Sequence, residues 1–391
     1  MTNPPRILLV DDEPFNLDYL EQELEDLNYE ILTASNGQEA LEKIQNDLPD
    51  LVLLDIMMPI MDGFAVLEKV KADPVTRSIP IIVISANSDL QSIVRGIEKG
   101  AEDYLPKPFE PTILHARITS SLEKKILRDK EKLYLQSLER ELNIARDIQA
   151  EFLPFEMPQA QGWEIAAYFK AASEVAGDFY DAFSLPDGNV ICVIGDVCGK
   201  GVGAALFMTL FRSLIRATCL SGNFAGEGDA NPASPAERLL HAIQFTNNYV
   251  AYTHESSNMF ATIFICLIDV QNHMLHYING GNDKPFLLRT DGTLEELATT
   301  GPAVGAIENS KYRVIQIPLQ AGDILLAFTD GIPDSQNPAG EFYGRERASI
   351  FMREHKTVES VVRAIGDDLM QFAGNEKQFD DITLLAVRRL P

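Results

Sequence analysis

The sequence predicts two folded parts of different class. The first is an α/β unit with a doubly wound, five-stranded parallel sheet; the second is an α+β unit, a two-sheet β-sandwich flanked by helices; a helical coiled-coil linker joins them. Three observations carry this. From residue 6 to about 118, short apolar runs alternate with amphipathic helical patterns, as in parallel sheets wound with crossover helices. From Ile113 to about Phe152 the chain is charged and free of Pro and Gly. Beyond Gly162, strand-like runs dominate. The expected boundaries are 1–122, 123–153 and 154–391.

In the first part the strands are RILLV, EILTA, LVLLD, PIIVISA and DYLPK. The segments between them, such as FNLDYLEQELEDL and QEALEKIQ, space apolar residues by three and four, which predicts helices. In the linker, Leu135, Leu138, Leu142, Ala145, Gln149 and Phe152 alternate by the same steps. That seam suits a parallel homodimer, with Gln149 as its weak point. In the last part AAYFKAA, DFYDAFSL, NVICVIGDV, MFATIFICLID, MLHYING, KPFLLR, YRVIQIPL, DILLAFTD and ITLLAVRR read as strands. Helices are expected from about Gly203 to Leu220, Pro235 to Tyr252 and Val358 to Phe372. SGNFAGEGDANPASP, between the first two of these, reads as a mobile surface loop.

Composition bounds the function. The 391 residues are 46% hydrophobic and carry a formal charge of −25, so nucleic acid and anionic membranes are unfavourable partners. Apolar runs such as FATIFICLI fall short of the roughly 20 residues a membrane span needs. The opening MTNPPRILLVDD has no signal-peptide pattern. The four cysteines (Cys192, Cys198, Cys219, Cys266) form no CxxC pair, and the six histidines have no zinc spacing. Free thiols in a reducing, cytoplasmic setting are expected.

The stretch VIGDVCGKGVGAAL, from Val193 to Leu206, has the look of a phosphate-cradling glycine turn ahead of a helix. It fails both familiar patterns. A P-loop needs four residues between its glycines and a Ser or Thr after Lys, whereas only three residues separate Gly195 from Gly199 and Gly201 follows Lys200. A dinucleotide fingerprint needs an acidic residue further on, and none stands there. Asp196, in its middle, therefore has to be read together with other residues.

Two such sets of residues emerge. In the first part, Asp11 and Asp12 end the first strand, Asp55 the third and Ser85 the fourth, and Lys107 follows the fifth. Doubly wound sheets bind ligands at this edge, and converging carboxylates there call for a divalent cation. A cis Lys107–Pro108 bond would turn the ammonium inward. VDDE, LLDIMMP, ISA and KPF resemble the receiver domain of two-component response regulators, over residues 5 to about 122. The resemblance implies that Asp55 accepts a phosphoryl group from a sensor histidine kinase or phosphotransfer protein. It implies Mg²⁺ held by Asp11, Asp12, Asp55 and the Met57 carbonyl, phosphoryl oxygens bound by Ser85 and Lys107, and Tyr104 as an aromatic switch.

In the last part, EVAGDFYD supplies Asp178, IGDVCGKG Asp196, AFTDG Asp330 and FDDITL Asp380 and Asp381, each at a strand boundary. A carboxylate cluster without Cys or His suits Mg²⁺ or Mn²⁺; two such ions roughly 3.5–4 Å apart acidify a shared water and neutralise a phosphoryl group under attack. ERELNIARDIQAEFLP, GDFYDAF, GDVCGKGVGAAL, FATIFICLID, TDG and DDITL resemble, in order, the protein phosphatase 2C superfamily over residues 138 to 390. The match is to its bacterial sporulation and stress-response branch, which acts on anti-anti-sigma factors. The resemblance implies a metal-dependent phosphoserine/phosphothreonine phosphatase. Asp178 would bridge the ions and Asp196 hold the first with the Val197 carbonyl. Asp330 and Asp380 would complete the second, with Asp381 beside them.

The chain departs from that pattern in three places. Asn282 stands where many relatives have His, which predicts a changed substrate contact; the phosphate-binding arginine of eukaryotic relatives has no counterpart; and IPDS follows TDG. A rival reading is a non-catalytic adaptor docking a sigma-pathway protein, and a nucleotide cyclase is opposed by the lack of its motif. The breaker-free helix between two complete sites is the expected route of control by Asp55 phosphorylation.

Overall fold

The computed structural model describes residues 4–86, 90–221, 234–376 and 378–391. Two compact units, Met1–Leu138 and Glu139–Pro391, divide the chain.

The first unit runs β1 (Arg6–Val10), α1 (Pro14–Leu24), β2 (Glu30–Ala34), α2 (Gly37–Asp47), β3 (Leu51–Asp55), α3 (Gly63–Ala72), β4 (Ile81–Ser85), α4 (Leu90–Glu98), β5 (Asp103–Pro106) and the start of α5 (Pro111–Phe152). The strands are parallel, in the order β2-β1-β3-β4-β5. β3 and β4 are buried along their whole length, which is why they read as unbroken apolar runs. Alternate residues feed two cores. Leu8, Val10, Val52 and Leu54 pack on one face, and Ile7, Leu9, Leu51 and Leu53 on the other. Asn36 caps α2 through the Gln38 and Glu39 N–H groups, and Asp62 caps α3 through Ala65. Parallel strands bring all their carboxyl ends to one edge, so Asp11, Asp55, Ser85 and Lys107 arrive there together.

The second unit holds the end of α5, then β6 (Trp163–Lys170), β7 (Phe179–Ser184), β8 (Val190–Val197), α6 (Val202–Ser221), α7 (Pro235–Thr253), β9 (Ala261–Asp269) and β10 (Met274–Gly280). It continues with β11 (Phe286–Leu288), β12 (Leu294–Glu296), β13 (Ile315–Pro318), β14 (Ile324–Phe328), α8 (Arg345–Glu354), α9 (Val358–Ala373) and β15 (Ile382–Arg389). Two antiparallel sheets form, β13-β10-β9-β8-β7 and β12-β11-β14-β15-β6. Cys192, Ile194, Phe264 and Tyr277 of one face Leu325, Leu385 and Val387 of the other in the core between them. On the outside, Met208 and Phe211 of α6 and Ile243 of α7 cover Val193 and Ile263, while α8 and α9 cover Leu326 and Leu384.

The structure departs from the expectation in a few places. α8 and β12 were not expected: RERASIFMRE has few apolar positions, and LEE is polar and three residues long. By length and composition α6 could cross a membrane, although FATIFICLI could not; Met208, Phe211, Ile215 and Cys219 on α6 instead sit in the core. Gln149 is no part of a solvent-facing seam, being buried, whereas Leu135 and Leu138 are exposed. The expected mobile loop falls mostly on residues 222–233, outside the described residues. Cys192, Cys219 and Cys266 are buried free thiols.

Phe211 is fully buried under the sheet that carries Asp196. Phe211→Ala is expected to cost about 3–5 kcal/mol, read as a lower urea midpoint at unchanged slope.

Candidate functional site

In the first unit, Asp55 closes β3 and is 5% exposed. The Lys107 ammonium reaches both Asp11 Oδ2, at 2.6 Å, and Asp55 Oδ1, at 2.7 Å, and the Lys107–Pro108 bond is cis. The Met57 N–H donates to Asp55 Oδ2 at 2.6 Å, while the Met57 side chain lies out in solvent. Asp11 Oδ1 accepts from the Glu13 N–H and from Asn16 Nδ2, which fixes its orientation. Ser85 is buried, and its carbonyl takes the Lys107 N–H at 2.8 Å. Asp12 is half-buried at the same edge, and Tyr104 is buried. Gly63 lies so close to the Asp55 carbonyl that any Cβ would collide with it. Burial raises the Asp55 carboxyl above the ordinary aspartate range, against the pull of Lys107. Burial also depresses the Lys107 ammonium, but its bonds to Asp11 and Asp55 outweigh this and leave it raised.

In the second unit the sandwich brings four distant aspartates to one end. Asp178 enters β7 and Asp196 lies near the end of β8, neighbours in one sheet; Asp330 follows β14 and Asp380 precedes β15, neighbours in the other. Asp178 is 1% exposed, and its Oδ2 accepts from Thr329 Oγ1 at 2.7 Å and Thr383 Oγ1 at 2.5 Å, both on the facing sheet. Thr383 N–H in turn donates to Thr329 Oγ1 at 3.2 Å. Asp381 works on the backbone: Oδ1 accepts the Ala172 N–H at 2.8 Å, and Oδ2 those of Gly177 at 2.8 Å and Asp178 at 3.3 Å. The same loop is tied from its other side by Gln149, which donates to the Ala176 carbonyl at 2.8 Å and accepts the Ala176 N–H at 2.9 Å. A Cβ on Gly177 would stand 3.0 Å from the Val197 carbonyl and 3.7 Å from Asp196 Oδ1, so glycine permits this close approach.

The carboxylates repel one another in a desolvated place. Burial, then the charges of Asp330 and Asp380, push the Asp196 carboxyl up to about 7, against a hydrogen bond with Asp178. Burial, then Asp380, Asp334 and Asp283, push Asp330 up to about 6. Asp178 is raised well above the ordinary range by burial and then by Asp196. Among the described residues, no three His, Cys, Asp or Glu side chains stand together as a formed metal cage. The donor chemistry nevertheless fits a hard divalent cation: the converging groups are carboxylates, and Asp178, Asp196 and Asp330 are raised by burial and by one another's or neighbouring charges.

Thr329, Thr383 and Gln149 were missed by sequence reasoning; the threonines' only signal was their place beside TDG and DDITL. Asn282 was expected to touch substrate. It is 4% exposed, and its Nδ2 donates to the Asp283 and Phe328 carbonyls at 2.9 and 3.1 Å, so it clips the turn ahead of Asp330.

A buried aspartate beside a lysine at the edge of a parallel sheet, and an aspartate cluster at the end of a two-sheet sandwich, define a response-regulator receiver joined to a phosphatase domain of the 2C type. The family model of Stage II sporulation protein E (SpoIIE) matches residues 186–390, and that of the response regulator receiver domain residues 7–119; the chain belongs to the SpoIIE family and carries a receiver domain. Protein IcfG of Synechocystis is 40% identical over 268 residues, 64% of this chain and 41% of IcfG. Response regulator PleD of Caulobacter vibrioides is 45% identical over 124 residues, 32% of this chain and 27% of PleD. The chain thus spans well under half of either relative. The solved SiaA-PP2C domain of Pseudomonas aeruginosa aligns with a TM-score of 0.53 at 23% identity, over 65% of this chain and 98% of that one, a likeness of fold.

An aspartate raised on folding binds its proton more tightly in the native state than unfolded. The penalty is absent below the unfolded pKa, near 4, grows as pH rises from there, and is complete above the folded values of about 6 to 7. In chelator-treated protein, Asp196→Asn is therefore expected to be the more stable form at pH 7.5, by on the order of 2 kcal/mol, and indistinguishable from wild type near pH 4 by thermal melts.

Proposed function

We propose that this chain is a response regulator whose output is a metal-dependent phosphoserine/phosphothreonine protein phosphatase, controlled by phosphorylation of Asp55. The observation that carries the reading is the meeting of Asp178, Asp196, Asp330 and Asp380 at one end of the sandwich, close enough for Asp330 and Asp380 to raise Asp196. The substrate class, an anti-anti-sigma-type phosphoprotein, rests on the order of motifs shared with the sporulation and stress-response branch.

In this reading Asp178, Asp196, the Val197 carbonyl, Asp330 and Asp380 hold two Mg²⁺ or Mn²⁺ ions. Such ions supply the charge that neutralises phosphoryl oxygens and acidifies water. The chain's own contribution is placement. Thr329 and Thr383 hold one oxygen of Asp178 in a fixed direction. Asp381 anchors the 172–178 loop by accepting three backbone N–H groups; its role as a further ligand would use the capacity those bonds leave. Burial, then the charges of Asp380, Asp334 and Asp283, hold the Asp330 carboxyl above the ordinary aspartate range. In the receiver, Asp11, Asp12, Asp55 and the Met57 carbonyl would hold Mg²⁺, Ser85 and Lys107 would take the phosphoryl oxygens, and Tyr104 would report the change. The partners are a histidine kinase or phosphotransfer protein, the phosphoprotein substrate, and a second copy paired through the exposed Leu135 and Leu138 of α5. Neither nucleic acid nor a membrane surface is expected at a charge of −25, and the setting is cytoplasmic.

The full chain with Mn²⁺ is expected to hydrolyse a phosphoserine anti-anti-sigma protein. Beryllofluoride on Asp55 should change the rate, and Asp330→Asn should lower kcat by about 100-fold or more. Absence of both hydrolysis and a calorimetric Mn²⁺ signal would leave the adaptor reading instead.

A further inference from the structure

Lys200 is held where no sequence pattern requires a cation. Its ammonium lies 3.0 Å from Asp380 Oδ2, donates to the Phe379 carbonyl at 2.5 Å and sits 3.9 Å above the centre of the Phe379 ring. All three contacts fall on two consecutive residues, one of them the aspartate assigned above to the second ion. The loop that presents Lys200 bends through Gly199 and Gly201, both with left-handed backbone (φ +91° and +77°). A side chain at either would meet nothing within 4 Å, so the glycines serve the turn and not a close approach. The lysine side chain is half exposed and keeps a free path into water.

Resting on the metal reading above, we propose that Lys200 is a positioning residue that competes with the divalent cation for Asp380. Asp380 Oδ1 accepts the Asp381 N–H and Oδ2 accepts the ammonium, so an ion that takes the Oδ2 side of this carboxylate meets the charge of Lys200. An ion using that oxygen displaces Lys200, and its apparent affinity is lowered by the fraction of molecules in which the pair is closed. Such release also frees the Phe379–Asp380 segment from the Cys198–Gly201 loop, so binding of the ion and mobility of the loop become one event. The ammonium acts as a built-in threshold for the metal.

The test is calorimetric titration of metal-free full chain with Mn²⁺ alone, without substrate. Lys200→Gln is expected to bind Mn²⁺ about three- to ten-fold more tightly than wild type, the range in which half-exposed ion pairs act. Lys200→Arg, which keeps the charge, should stay within about two-fold of wild type. In an Asp380→Asn background the Lys200→Gln effect should vanish, because the contested carboxylate is gone. Unchanged or weaker Mn²⁺ binding in Lys200→Gln, or a gain that survives in Asp380→Asn, overturns the proposal while leaving the phosphatase reading intact. A wild type that binds no Mn²⁺ overturns that reading itself.

Discussion

Like charges brought together out of water are the constraint around which the second unit is built. Asp178 is almost wholly buried and Asp196 partly so, and each is raised by the other or by Asp330 and Asp380. A folded chain left to optimise stability alone would separate such groups, since each costs free energy in its ionised form when desolvated beside another. Holding them together requires a scaffold stiff enough to resist the repulsion. The two antiparallel sheets, each contributing two adjacent strands to the same end, provide that stiffness.

The receiver meets the same problem with a different device. There the converging carboxylates, Asp11 and Asp55, are bridged by one ammonium carried on the last strand's exit. Asp55 is still raised, because burial outweighs the lysine's pull. An aspartate that is desolvated yet anchored by one lysine and one backbone N–H keeps a defined orientation. For the buried Asp178 of the sandwich the orienting work falls instead to neutral groups, the Thr329 and Thr383 hydroxyls. Facing sheets bring these residues to it across a gap.

Much of this was legible in the sequence because strand ends are. Apolar runs terminated by Asp, often with Gly beside them, mark both a strand boundary and a chemical group, so Asp55, Asp178, Asp196, Asp330 and Asp380 were all visible as strand-end residues. The residues that orient them were not. Thr329 and Thr383 look like ordinary strand threonines, and nothing local says that β14 and β15 lie opposite the residue before β7. Gln149 carried a helical spacing and so read as an imperfection in a seam; its partner is 27 positions away. Asn282 read as a changed substrate contact because many relatives carry His there; its Nδ2 donates to main-chain carbonyls. Side-chain pairing across sheets is set by tertiary packing, and sequence spacing does not encode it.

The doubly bonded amide of Gln149 has a bearing on how such modules can be cut and rejoined. It satisfies both main-chain groups of Ala176, two residues from Asp178, in a place shielded from solvent. A fragment starting at residue 154, just past the long helix, would strip that amide away and leave a donor and an acceptor bare beside the aspartate end of the sandwich. The compact second unit, Glu139–Pro391, accordingly includes the tail of α5. Any exchange of the N-terminal receiver, by recombination or by design, has to carry that last stretch of helix across with the sandwich it braces.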